Sequence, residues 1–146
     1  MEGFFTLGLH AGIRGYYFSE PLFEADTDEV AGVIVVKVNM ARLERGWLNR
    51  ATPMLITDEY GAVIASSIPS WLFTNRSPLT EQQKQNIRAS SKYPLVPFPL
   101  LQTQVHENTP LGQIVSLPKA GFKRMLEVTT SIPALDWTGL FMVRAI

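Results

Sequence analysis

The chain has 146 residues, 46% of them hydrophobic and 18% charged, the composition of a globular chain rather than a disordered one. Thirteen basic and thirteen acidic residues cancel, so no surface for nucleic acid or another polyanion is expected. Cysteine is absent, which excludes disulfides, thiol catalysis and cysteine-ligated metals.

No run approaches the roughly 20 apolar residues that span a bilayer. Residues 1–9 are apolar but lack the basic start and cleavage site of a signal peptide. Residues 4–9 read as a first strand, followed by a turn through His10-Ala11-Gly12-Ile13-Arg14-Gly15, where two glycines can take positive φ. Tyr16-Tyr17-Phe18-Ser19 resumes as a strand, and Pro21 ends it or marks an edge. Residues 24–29 form an acidic loop, which reads as a solvated hairpin connection because the glycine and spaced oxygen ligands of a calcium loop are missing.

The stretch from Val30 to Asn39 reads as a fully buried strand: six apolar β-formers in a run, broken only by Lys37. Alternation places Lys37 on the face of Val33 and Val35. An ammonium there must snorkel out at the strand end or find an anion, since an unpaired buried charge is costly. Two readings stay open: a lysine reaching water, or a fixed cation for a small carboxylate.

From Met40 the period changes. Met40, Leu43 and Trp47 fall on one face of a short helix over residues 40–50, with Asn39 as N-cap and Arg42, Glu44, Arg45 and Arg50 on a solvated face. A second unit begins at Pro53. Its first hairpin pairs residues 54–57 with 62–67 through an Asp58-Glu59-Tyr60-Gly61 turn. Trp71, Leu72 and Phe73 form an anchor. Thr80-Glu81-Gln82-Gln83 is a capping box opening a polar helix to about residue 92, with Ile87, Ala89 and Ser90 as buried contacts. Residues 93–110 hold four prolines and read as an extended loop. Three strands close the chain, over residues 112–117, 123–132 and 137–144, with a turn at Pro133-Ala134-Leu135-Asp136.

The expected fold class is α+β. Residues 52–146 form a PAS-like unit with a five-stranded antiparallel sheet whose concave face can hold a ligand. Chemistry-bearing groupings are scarce. His10 and His106 are far apart and neither sits in a metal-spaced cluster. A surface or locally hydrogen-bonded histidine is the default for both. No nucleophile elbow, phosphate-binding glycine loop or paired-carboxylate motif occurs. No cofactor and no enzymatic activity are expected of this chain.

Several stretches, in order, resemble the extracytoplasmic sensor of DctB-type C4-dicarboxylate histidine kinases. They are Arg14-Gly15-Tyr16-Tyr17-Phe18-Ser19, Gly32-Val33-Ile34-Val35-Val36-Lys37-Val38 and Leu43-Glu44-Arg45-Gly46-Trp47. The likeness continues through Leu55-Ile56-Thr57-Asp58-Glu59-Tyr60-Gly61-Ala62-Val63-Ile64-Ala65-Ser66-Ser67, Trp71 and Ala89-Ser90-Ser91-Lys92-Tyr93. The resemblance implies a tandem PAS-like (double Cache) sensor: residues 1–39 as the C-terminal strands of an incomplete membrane-distal unit, 40–51 as a connecting helix, 52–146 as the membrane-proximal unit. It implies a periplasmic location, a membrane-anchored parent kinase, and a succinate, malate or fumarate ligand, with a homodimer as a further option.

By the same resemblance Lys37 falls on the ligand-carboxylate lysine, and His10 and Ala11 stand where the family supplies a hydroxyl to the ligand. The family's arginine-bearing clamp segment has no counterpart, which leaves one lysine to do what a bidentate arginine would share. The competing expectation is a free-standing small-molecule-binding or dimerisation domain without kinase linkage.

Overall fold

The computed structural model describes residues 2–7, 14–47, 52–90, 93 and 98–145. Three strands come first: β1 (Glu2–Leu7), β2 (Arg14–Phe23) and β3 (Val30–Asn39), an antiparallel sheet in that order. The acidic residues 24–29 connect β2 to β3, closed by Glu24 N–H donating to Glu29 O at 2.9 Å. Pro21 does not end β2. β1 pairs with β2 only as far as Ser19, so Pro21 pairs with Val33 on one side and needs no donor on the other.

Helix α1 (Met40–Arg45) follows directly, its N-cap Asn39 accepting from Arg42 N–H at 3.3 Å. Beyond it lies a six-stranded antiparallel sheet built from β4 (Met54–Thr57), β5 (Val63–Ser66), β6 (Gln104–Thr109), β7 (Gly112–Leu117), β8 (Phe122–Ile132) and β9 (Trp137–Arg144). The spatial order is β5-β4-β9-β8-β7-β6. Helix α2 (Glu81–Ser90) is inserted between β5 and β6. The α+β, PAS-like architecture is as expected, with one strand more than the five anticipated. The extra strand is β6, in the stretch read as proline-rich loop. The prolines at 99 and 110 flank β6 rather than interrupt it, so its ladder to β7 is intact.

Two hydrophobic clusters hold the larger sheet. One gathers Met40, Ala62, Ile64, Ile87, Tyr93, Phe98 and Trp137, together with Tyr16 from the smaller sheet. The other holds Leu55, Val63, Trp71, Val115, Leu117, Leu140 and Met142. Alternation along the wholly buried β5 sends Val63 and Ile64 to different clusters. Tyr16 meets Trp137 edge to face at 4.8 Å, so the smaller sheet is seated on the larger.

β3 departs from its expected burial. Val33, Ile34, Val35 and Val36 are each more than half exposed. An unbroken apolar run encodes a strand covered on both faces, and among the described residues no layer covers this part of the sheet. The capping box is as read: Thr80 Oγ1 accepts from Gln83 N–H at 3.1 Å, and Gln83 Oε1 accepts from Thr80 N–H at 2.9 Å. Of the three contacts expected from α2, only Ile87 is buried. Thr80→Ala should cost about 1 kcal/mol in urea-unfolding stability; no loss would mean that tertiary packing alone sets where α2 begins.

Candidate functional site

The smaller sheet has two unlike faces near the end of β3, and alternation assigns them. Tyr17 and Lys37 are directly paired across β2 and β3 and share one face with Gly15. Arg14, Tyr16 and Phe18 project from the other, toward the larger sheet.

Lys37 is exposed. Its stem lies across Gly15, where an added Cβ would come 2.7 Å from the lysine Cε, and its Nζ stands 5.4 Å from the centre of the Tyr17 ring. The ammonium is thus held by an aromatic face and by the space glycine leaves. Among the described residues it forms no ion pair. Its exposure accords with the first of the two readings, a lysine reaching water, and leaves the second, a cation for a small carboxylate, open. An exposed, positioned cation remains. His10 and Ala11 lie outside the described residues.

The opposite face carries a buried polar joint. Arg14 donates to both carboxylate oxygens of Glu44 on α1, at 2.9 Å for Oε1, and to the carbonyl of Ile64 on β5 at 2.8 Å. Glu44 Oε1 also accepts from Ser66 N–H at 2.8 Å. Both side chains keep only 10% of their exposure. One arginine–carboxylate pair therefore links the smaller sheet, the connecting helix and the first hairpin of the larger sheet. A bidentate guanidinium suits this because its planar fork fixes angle as well as distance. The sequence reading placed Glu44 on a solvated face, and that is corrected here. Met40 and Glu44, at i and i+4, are the buried side of α1, whereas Leu43 is 43% exposed.

In the larger sheet the turn after β4 holds a second buried carboxylate. Asp58 Oδ1 accepts from Tyr60 N–H at 2.9 Å and Ala62 N–H at 3.0 Å, and its Oδ2 accepts from the Tyr93 hydroxyl. Burial raises the Asp58 pKa above its ordinary value, partly offset by these donors. Burial and the facing carboxylate push the Tyr93 hydroxyl up strongly. The Asp58 turn was legible as turn chemistry. Its tie to Tyr93 was not.

His106, on β6, is hydrogen-bonded to Ser116 Oγ at 2.8 Å, as a locally satisfied histidine. Among the described residues no three His, Cys, Asp or Glu side chains are grouped to hold a metal. No helix among them is long and apolar enough to cross a membrane.

No protein-family model matches the chain. The sequence is 37% identical over 120 residues to the C4-dicarboxylate transport sensor protein DctB of Pseudomonas aeruginosa, covering 82% of this chain and 19% of that protein. To the protein of the same name from Rhizobium meliloti it is 30% identical over 109 residues, 73% of this chain and 18% of that one. The fold matches the sensor domain of the V. cholerae histidine kinase DctB with a TM-score of 0.82 and 31% identity, over 99% of this chain and 56% of that structure. The periplasmic domain of RsbU from Chlamydia trachomatis shares the fold at a TM-score of 0.69 and 14% identity, over 97% of this chain and 54% of that one. The chain is homologous to the sensor domain of the DctB C4-dicarboxylate sensor histidine kinases, and it spans about a fifth of the curated relatives it matches.

Proposed function

We propose that this chain is the signal-relaying part of a periplasmic C4-dicarboxylate sensor, with the β1–β3 sheet on the ligand side and the six-stranded sheet on the membrane side. The observation that carries this is the Arg14–Glu44 joint. β2 presents Tyr17 beside Lys37 on one face, and Arg14 and Tyr16 to the larger sheet on the other. A carboxylate drawn to Lys37 would pull on the same two strands whose other face is bolted to α1 and β5. Signalling requires that ligand favour one arrangement of this joint over another. Residues 1–39 are then the end of a membrane-distal unit, residues 40–51 the connector and residues 52–146 the membrane-proximal unit. The bare apolar faces of β3 suit a strand that the rest of a distal unit covers. Phosphotransfer belongs to other parts of the parent kinase.

A thermal-shift titration with succinate, malate and fumarate tests the ligand side. Ligand at a hundred times its dissociation constant should stabilise the chain by roughly 2.7 kcal/mol, and Lys37→Ala should abolish the shift. An equal shift in the variant would move the ligand away from Lys37. No shift up to millimolar dicarboxylate would overturn the ligand-side assignment and leave the relay alone.

A further inference from the structure

Zero net charge conceals an uneven distribution along the six-stranded sheet. β7 ends at Leu117, a single 3-10 turn over Pro118–Ala120 follows, β8 starts at Phe122, and β9 finishes at Arg144. The register brings these points together: Leu117 pairs with Phe122, Met125 pairs with Arg144, and Ala145 N–H donates to Arg124 O at 3.2 Å. One end of the sheet therefore gathers Lys119, Lys123, Arg124 and Arg144, all exposed. Lys119, Lys123 and Arg144 form no ion pair among the described residues. Arg124 meets Glu107 only at 3.7 Å, with both side chains more than half exposed. Glu127, further in, is engaged by Arg76 at 2.6 Å. At the opposite end, the exposed Glu59 and Asp136 lie beside the start of β9.

The basic end is also where the second hydrophobic cluster opens. A cleft of about 410 Å³ there is lined by Phe122, Met125, Met142, Arg144 and the 42% exposed Val143. An adjoining one of about 320 Å³ takes in Lys123, Arg124 and Arg144. Cations ringing apolar side chains fit a partner that is anionic at its surface and apolar beneath. This end is the far one from the smaller sheet. Tyr16 meets Trp137 at the start of β9, and Arg144 closes that strand about 23 Å away.

We propose that this end of the six-stranded sheet rests on a bilayer surface carrying anionic phospholipid. Lys119, Lys123, Arg124 and Arg144 meet the phosphates, and Val143 and the partly exposed Phe122 lie at headgroup level. The proposal builds on the reading of this unit as the membrane-side one, and it names what that side touches. Co-sedimentation of the chain with vesicles tests it, comparing equal parts of phosphatidylglycerol and phosphatidylcholine with phosphatidylcholine alone. Binding to the anionic vesicles only is expected, falling steeply as salt is raised. Each cation at such a surface adds about fivefold to the partition, so Lys123→Gln with Arg144→Gln should weaken it roughly 25-fold. Lys119→Gln, on the turn outside the strands, should weaken it about fivefold and keeps the test open should the double variant not fold. Lys37→Ala should bind vesicles as the wild type does, and the double variant should keep any dicarboxylate shift. Failure of the lipid contact and failure of the ligand-side assignment are thereby distinguished. Absence of binding to anionic vesicles at low salt, equal binding to phosphatidylcholine, persistence in high salt, or undiminished binding in the folded variants would each overturn the proposal.

Discussion

Glu44→Ala is expected to cost about 3–5 kcal/mol in urea-unfolding stability, because it strands the Arg14 guanidinium in a site with little water. The mechanism is specific. Arg14 keeps its bond to the Ile64 carbonyl but loses both carboxylate oxygens, and Ser66 N–H loses its acceptor. An exposed ion pair would cost at most about 1 kcal/mol, so the two cases are well separated by one denaturation curve. The double variant Arg14→Met with Glu44→Leu should recover most of the loss, since a packed apolar pair escapes the desolvation penalty altogether. Recovery of stability without recovery of dicarboxylate response in the parent sensor would assign the pair to coupling rather than to folding. A loss below about 1 kcal/mol in Glu44→Ala would show the joint to be wetter and weaker than its geometry indicates.

That joint also marks where the sequence stops being readable. The last three strands and the capping box were legible because each is a local pattern: period-two apolar residues, turn residues between them, and Thr80 three positions before Gln83. Lys37 was legible as an interruption in an apolar run. Glu44 was not. Its burial depends on where Arg14, 30 residues earlier, and Ser66, 22 residues later, arrive in space. A helix with Arg42, Glu44 and Arg45 in one turn looks solvated from its own composition. The one local hint is that Met40 and Glu44 share a helical face, and Met40 is 1% exposed. β3 failed in the opposite sense: its composition reports the burial the strand is built for, while the described residues supply only part of it. Asn75 carries no sequence signal at all, because an orphan carbonyl oxygen is a property of the folded surroundings.

Asp58 supplies the second large effect, and it has a pH signature. Asp58→Ala removes the acceptor for Tyr60 N–H, Ala62 N–H and the Tyr93 hydroxyl together. With about 1–3 kcal/mol for each buried group left unsatisfied, a loss of at least about 3 kcal/mol is expected. Asp58→Asn keeps an oxygen for the two backbone donors and offers an amide N–H to the Tyr93 oxygen, so it should lose much less. The wild type and Asp58→Asn should also diverge with pH. Burial raises the folded-state pKa of Asp58 above the ordinary 3.8. The native state therefore holds this proton more tightly than the unfolded chain does. The stability it contributes is fully present below the unfolded value and is lost as pH rises through the folded one. Urea unfolding across the acid range should show the wild type losing stability relative to Asp58→Asn as pH increases, then running parallel to it. A wild type that instead gains on the variant with rising pH would mean that the three donors outweigh burial. The carboxylate would then be what clamps Tyr93 against the first hairpin.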